Sequence, residues 1–236
     1  MNSDQSTRFA VAFARETARS ATARLCTACI EVLSVTGAGI TIMGGDQAGP
    51  ICVSDVKVAA LEDLQYAMGQ GPCRDAFRSG TSVHAPRLGV DASARWPSFV
   101  SLARDSGIGA VFAYPLIGAG AKVGVLTLYQ EGELTTAQHD DSIALSEVLT
   151  ETVLSLQDES PPGTLATGLD DAVQYRAEIY QASGMVAIQL SIPAAEALLR
   201  LRAYAFASDQ SVAEVAAHIV ARHLRLPNDN QPETEQ

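Results

Sequence analysis

Four cysteines are the residues of this sequence with the clearest capacity for chemistry. They stand at positions 26, 29, 52 and 73 of a 236-residue chain, and Cys26 and Cys29 form a Cys-x-x-Cys pair in a helical pattern. Such a pair can be redox-active, but four metal ligands would need a second pair that is not present. Because the N-terminus does not resemble an export signal, we expect reduced, buried thiols. Cys73 follows Gly71-Pro72 at a predicted helix start, where the helix dipole could lower its pKa and make it reactive.

The other residue types that commonly do chemistry form no recognisable catalytic pattern. His218 and His223 lie five residues apart on one predicted helix, which is poor spacing for a metal site. We expect His84 and His139 to be ordinary surface or core residues. The sequence has no Gly-x-Ser-x-Gly elbow, no Walker loop and no His-Glu-x-x-His motif. We therefore expect no catalytic residue, no cofactor and no metal ligand.

Composition and charge limit the class of protein. A hydrophobic content of 47% permits a sizeable core, and the length favours two modest domains. The net charge of −11 argues against broad electrostatic attraction to phosphate, so any binding of nucleic acid must be local and driven by shape. No window approaches eighteen consecutive apolar residues, so we expect a soluble, cytoplasmic protein without a membrane segment.

The elements that must position these residues are predicted by apolar periodicity. Five segments alternate or run apolar with Gly and Pro at their ends, as strands do: GAGITIM, PICVSD, TSVHAP, GAVFAYPLI and KVGVLTLYQ. Helical patterns lie between them, so we predict an α+β domain with an antiparallel sheet flanked by helices over residues 1–157. The long flanking helices either pair between two chains or cover their own sheet, and both readings stay open.

A change of composition marks the end of this domain. The segment DESPPGTLATG carries paired prolines and glycines, so we place a linker at residues 158–169. Three short apolar stripes follow and predict a small all-α domain of three helices at residues 170–226. The polar end of the chain, residues 227–236, is predicted to be disordered.

The first domain resembles a bacterial GAF domain of the kind found in actinobacterial regulators. The resemblance rests on GQGPCRDAF, on ARWPSFVSLARDSGIGAVFAYPLI and on the strand VGVLTLYQ, taken together over residues 20–157. It implies that the domain binds a small molecule or dimerises. The geometry of the family would place a ligand against the sheet near four residues that could equally be ordinary core: Cys73, Phe77, Trp96 and Phe112.

The second domain resembles an ANTAR domain, the RNA-binding module of transcription antitermination regulators. The resemblance is carried by QASGM at Gln181 to Met185, by EALLRLRAYA and by SVAEVA. It implies a homodimer that binds paired stem-loops in messenger leaders and prevents a terminator hairpin from forming. The candidate RNA-binding residues are Arg176, Gln181, Ser183, Gly184, Gln189, Arg200, Arg202 and Tyr204.

Two departures keep other functions open. Ser183 and Gln189 stand where the family commonly has basic residues, which removes charge that would bind phosphate. A regulator that acts through a protein partner without RNA is therefore an alternative. A second alternative is an enzyme, because certain GAF-fold proteins reduce free methionine sulfoxide with cysteines.

Overall fold

The computed structural model describes residues 7, 8, 11, 21–43, 49–158, 170–208, 210 and 212–227, and these fall into two compact units, 1–173 and 174–236. The predicted linker and tail lie outside the described residues, apart from Asp158 and Pro227. Each unit is considered by itself.

The first unit contains five strands and six helices with full bounds in the described part of the chain. The strands are β1 (Gly37–Ile42), β2 (Gly49–Val53), β3 (Val83–Ala85), β4 (Ala110–Gly118) and β5 (Ala121–Gln130). The helices are α1 (Ala21–Leu33), α2 (Val56–Met68), α3 (Pro72–Ser79), α4 (Val90–Arg95), α5 (Pro97–Asp105) and α6 (Thr136–Asp158).

The five strands form one antiparallel sheet in the order β2-β1-β5-β4-β3. The β4–β5 hairpin turns at Ala119 and Gly120, both with positive φ, and the central strand β5 pairs with β1 on its other side. This arrangement confirms the predicted antiparallel α+β domain.

Helices cover both faces of the sheet, so the unit has two hydrophobic cores. Helices α1 and α6 pack on one face, and α2 to α5 pack on the other. Successive side chains of a strand point to opposite faces. In β4, Phe112 and Tyr114 therefore enter the core under α1 and α6, whereas Val111 and Ala113 enter the core under α2 to α5.

In the part of the second unit that the structure describes there are three helices: α7 (Asp170–Leu190), whose first four residues precede the unit, α8 (Ala194–Ala207) and α9 (Val212–Val220). Apolar side chains one turn apart form its core, namely Ile179, Ala182, Val186, Ala197, Leu201, Ala205, Val212, Val215, Ala216 and Ile219. Between α7 and α8 the chain reverses at Ser191, whose φ is 56°. The helical architecture predicted for this region is confirmed.

None of the helices in the described part of the chain is both long enough and apolar enough to cross a lipid bilayer.

Candidate functional site

The GQGPCRDAF segment forms the turn from α2 into α3. Gly69 ends α2 in the left-handed region with a φ of 63°, and Gly71 has a φ of 141°, a backbone that L side chains rarely adopt. Pro72 then occupies the first helical turn of α3, where its missing N–H costs nothing. The two glycines and the proline therefore fix the position of the residue that follows, Cys73.

The α3 segment and the Arg-Trp-Pro segment, which are far apart in sequence, meet through Asp75. Its Oδ2 accepts a hydrogen bond from Trp96 Nε1 at 3.0 Å and forms an ion pair with the Arg95 guanidinium at 2.9 Å. That guanidinium also lies 4.7 Å from the centre of the Trp96 ring. Asp75 therefore links the two motifs in the folded domain.

Three of the four predicted ligand-site residues lie on the same side of the sheet. Cys73 and Trp96 are buried in the core under α2 to α5, and Phe77 packs against it half-buried. Phe112 belongs to the opposite core, under α1 and α6, so it does not lie beside the other three, and a ligand contact by any of the four stays a prediction. The sequence did not reveal which face of β4 it would occupy.

A buried polar network lies between α2 and the sheet, next to Cys73. The Glu62 carboxylate accepts hydrogen bonds from the Tyr129 hydroxyl at 2.7 Å and from the Thr41 hydroxyl at 2.8 Å. Gln65, one turn along α2, donates to the Tyr129 oxygen at 3.1 Å and accepts from the Cys73 backbone N–H at 2.8 Å. Gln65 thus supplies the N-terminal cap of α3 from another helix, because Gly71 has no side chain to do so.

Glycines leave room for the two α2 side chains of this network. A Cβ atom at Gly39 would lie 2.9 Å from Glu62 Oε1, and one at Gly71 would overlap the Gln65 side chain. A larger residue at either glycine would collide with one of these polar side chains. The network therefore fits only because both positions are glycine.

Burial controls the protonation of the network. Loss of hydration raises the pKa of the Glu62 carboxyl, and the hydrogen bonds from Tyr129 and Thr41 only partly offset this. The pKa of Tyr129 is raised for the same reason and by the charge of Glu62. Thr127 is fully buried next to the carboxyl.

The thiol of Cys73 does not have the reactivity that its position at a helix start predicts. Burial, followed by the nearby charge of Glu62, raises the pKa of Cys73 well above its ordinary value. The side chain is also completely inaccessible. The expectation of a lowered pKa is therefore wrong, because desolvation outweighs the helix dipole.

On the other face, α6 contributes His139 to an aromatic cluster with the edge strand β3. The His84 and His139 ring centres are 4.7 Å apart, and the Tyr114 hydroxyl lies 2.7 Å from His139 Nδ1. Burial and the proximity of His139 lower the pKa of His84. Burial raises the pKa of Tyr114 to about 12.

Two of the four cysteines form a disulfide bond, which overturns the expectation of four reduced thiols. Cys26 of α1 is bonded to Cys52 of β2, with their Cα atoms 6.0 Å apart. Cys29 and Cys73 are free and buried. The sequence could not reveal this pairing, because Cys26 pairs with a distant residue and not with its Cys-x-x-Cys neighbour.

In the second unit, two of the predicted RNA-binding residues are engaged within the fold. The Ser183 side chain is 3% exposed, and its hydroxyl donates to the Ala194 carbonyl at 3.0 Å. Gln189 Nε2 donates to the Leu226 carbonyl at 2.6 Å. Ser183 therefore lies inside the unit, where a lysine could not present its charge on the surface.

The remaining predicted residues differ in their exposure. Gln181 on α7 is exposed, and three residues on α8 are half-exposed: Arg200, Arg202 and Tyr204. Arg200 and Tyr204 are one turn apart and share a face of α8. A Cβ atom at Gly184 would meet nothing within 4 Å, so packing within the described unit does not require glycine there. The side chain of Arg176 lies outside the described part of the structure.

Comparison with known families assigns both units. Residues 14–154, more than half of the chain, match the GAF domain family. The chain belongs to the GAF family. Residues 167–220 match the ANTAR domain family, so this GAF protein also carries an ANTAR domain, as the resemblance implied. No curated protein sequence matches the chain.

Solved structures similar to the GAF domain share little sequence with it. The GAF domain of the Acinetobacter phosphoenolpyruvate-protein phosphotransferase is 11% identical with a TM-score of 0.49, and the match covers 69% of this chain and 99% of that one. The corresponding domain from Coxiella burnetii is 12% identical with a TM-score of 0.47, covering 67% and 98%. Free methionine-R-sulfoxide reductase from Neisseria meningitidis, in complex with its substrate, is 16% identical with a TM-score of 0.42, covering 64% and 91%.

None of the four cysteines is an exposed free thiol. Cys26 and Cys52 are bonded to each other, and burial raises the pKa of both Cys29 and Cys73. Within the described residues, no three His, Cys, Asp or Glu side chains come together as a metal site.

The polar network of the GAF domain is the feature that sequence reasoning missed. A signal was present: Glu62 and Gln65 lie in the same helical stripe as Val58 and Leu61, which is the face that a helix buries. Polar residues in such a stripe require partners, and the alternation of β5 places Tyr129 and Thr127 on one face to meet them.

Proposed function

We propose that this protein is a cytoplasmic, homodimeric regulator that receives a signal through its GAF domain and binds stem-loop RNA through its ANTAR domain, so that a transcription terminator hairpin does not form. The observation that carries the proposal is the occurrence of a GAF match and an ANTAR match in one chain. The proposed RNA target is a nascent messenger, and we propose a cytoplasmic location for this reason.

The reading surface that we propose is the polar face of α8 together with the start of the ANTAR turn motif. Arg200 and Tyr204 lie on one face of α8, and Gln181 is exposed on α7. Arginine planes and aromatic rings stack on unpaired bases, and amide side chains read base edges. Because the chain has a net charge of −11, these few groups must supply the affinity that general electrostatic attraction does not.

The signal-receiving part is the GAF domain, and dimerisation is proposed through its long helices α1 and α6. A small-molecule ligand, where one is bound, is placed on the α3 side of the sheet, near Cys73, Phe77 and Trp96. That side also holds the buried Glu62 network.

The first test is binding of the purified chain to a paired stem-loop RNA from leader transcripts of its source organism. Tyr204→Ala should weaken binding by about tenfold or more, because one stacked base is worth about 1–3 kcal/mol. Arg200→Ala should weaken binding and reduce the slope of log affinity against log salt by about 0.7–0.9.

Arg225→Ala is the matched control for the loss of charge. Arg225 is exposed, belongs to the same unit and lies beyond the last helix. It should leave the affinity nearly unchanged. Equal losses for Arg200→Ala and Arg225→Ala would mean nonspecific attraction and would contradict the proposed reading surface.

The second test is transcription through a terminator in a purified system with the same leader. Added protein should increase readthrough, and Tyr204→Ala should remove that increase. RNA binding without readthrough would remove the antitermination step from the proposal.

Binding of a protein partner without RNA is the second candidate, and two exposed apolar residues favour it. Ile188 is 83% exposed and Leu199 is 59% exposed on the helices of the ANTAR domain. Absence of RNA binding at low salt would decide for this candidate.

A further inference from the structure

The disulfide bond joins helix α1 to the edge strand β2. Helix α1 lies against β1, β2 and α6. Strand β2 is an edge strand that pairs with β1 alone, and its register shifts between Ile40 and Thr41. The Cys26–Cys52 bond therefore links α1 covalently to the edge strand at this end of the sheet.

Cys52 is the more accessible of the two bonded residues, so we expect thiol exchange to begin there. Cys26 is completely buried, whereas Cys52 retains 7% exposure on the edge strand. Cys29, one turn from Cys26, is buried, and its raised pKa keeps it as a thiol that does not attack the bond. Cys73 lies in the other core, across the sheet.

We propose that Cys26 and Cys52 form a reversible redox site, closed by hydrogen peroxide and opened by a dithiol, and that its state sets how firmly α1 is held to the sheet. The claim that this redox site controls RNA binding rests on the proposed function. The claim that the GAF domain contains a reversible redox site does not depend on it.

The chemistry balances in both directions. In oxidation, the Cys52 sulfur attacks one peroxide oxygen, the O–O bond breaks, and a sulfenic acid and one water form; the Cys26 sulfur then displaces a second water and the S–S bond forms. Two thiols thus lose two electrons, and peroxide is reduced to two waters. In reduction, a thiolate of the dithiol attacks Cys52, Cys26 leaves and is protonated, and the second thiol of the reagent releases Cys52 while the reagent becomes a disulfide.

Thiol counting on the full chain tests the site directly. After peroxide treatment, quenching and denaturation, the protein should show two free thiols, Cys29 and Cys73. After treatment of the native protein with dithiothreitol and removal of the reagent, it should show all four cysteines as thiols. Four thiols after peroxide, or a bond that dithiothreitol opens only in denaturant, would overturn the proposal.

Amide hydrogen exchange tests the consequence for α1. In the wild-type protein, amides of Ala21–Leu33 should exchange about tenfold or more faster after reduction, while amides of β4 and β5 stay unchanged. Cys29→Ser is the matched control, because Cys29 lies on the same helix and is equally buried. It should keep the full response, whereas Cys26→Ser should exchange rapidly with or without peroxide.

The comparison of oxidised and reduced wild-type protein needs no variant, so it remains valid even if Cys26→Ser fails to fold. Cys52→Ala provides a second variant. Equal exchange of α1 in both redox states would overturn the proposed effect. RNA affinity measured on the same two samples separates the claims: a change in exchange with unchanged affinity supports the redox site and removes its role as the input to RNA binding.

Discussion

Replacement of Glu62 by glutamine tests the protonation of the buried network. Glu62 is 2% exposed and its pKa is raised by burial, so the folded domain favours the neutral acid. The ordinary pKa of the group is 4.5. The stability contributed by a carboxyl with a raised folded pKa is fully present below that value and is lost as the pH rises through the folded pKa.

The size of the effect follows from linkage. Between pH 4.5 and the folded pKa of Glu62, this one group should lower the free energy of unfolding by about 1.4 kcal/mol per pH unit. Cys73 and Tyr129 face the carboxyl, and both have raised pKa values, so they do not titrate in this range. Glu62→Gln keeps the shape, cannot ionise, and should lack this part of the pH dependence.

Urea unfolding at several pH values measures the difference. Trp96 is the single tryptophan of the chain and is 3% exposed, so its fluorescence reports the unfolding of the GAF domain alone. Glu151→Gln, at an exposed position of α6, is the control and should follow the wild-type protein. Equal pH slopes for the wild-type protein and Glu62→Gln would refute an ionisable group in this interior.

Three further predictions concern other positions. The pKa of His84 is lowered in the folded domain. Its contribution to stability is therefore present above pH 6.5 and is lost as the pH falls through the folded pKa. His84→Asn should reduce the loss of stability at acidic pH, measured by tryptophan fluorescence. Ser183→Lys should destabilise the ANTAR domain by about 2–4 kcal/mol, because it buries a charge, while Ser183→Ala should cost about 1 kcal/mol in thermal unfolding followed by circular dichroism. Gly184→Ala should stabilise that domain by about 1 kcal/mol, since open space surrounds the site; weaker RNA binding by this more stable variant would place Gly184 at the RNA surface, and unchanged binding would remove it.

Much of the GAF architecture could be predicted because its strands are bounded by turn residues and its segments alternate. The segment GAGITIM contains β1, and KVGVLTLYQ falls within β5. Period-two alternation separates two faces but does not say which face meets which helix. The geometry implied by the GAF resemblance groups Phe112 with Cys73, whereas the register of β4 puts Phe112 in the other core.

Within the ANTAR domain, the apolar spacing of α7 predicts the burial of Ser183. Ser183 follows Ile179 by four residues, and Ile179 belongs to the apolar stripe that forms the core. The basic residue common at this position in the family implies a phosphate contact instead. The Cys26–Cys52 bond, in contrast, depends on the approach of α1 to β2 in space, which no spacing of cysteines in the sequence encodes.

The disulfide bond and the Glu62 network of the GAF domain lie on opposite sides of one sheet. In β5, Leu126 and Leu128 pack in the core that holds the disulfide bond, while Tyr129 packs in the core beside Glu62. Because the two groups share no side-chain partner, the stability changes of Cys26→Ser and Glu62→Gln should add to within about 0.5 kcal/mol in the double variant. A larger coupling, seen in the same tryptophan-detected unfolding, would mean that the sheet transmits strain between its faces, and the redox site would then influence the network that positions α3.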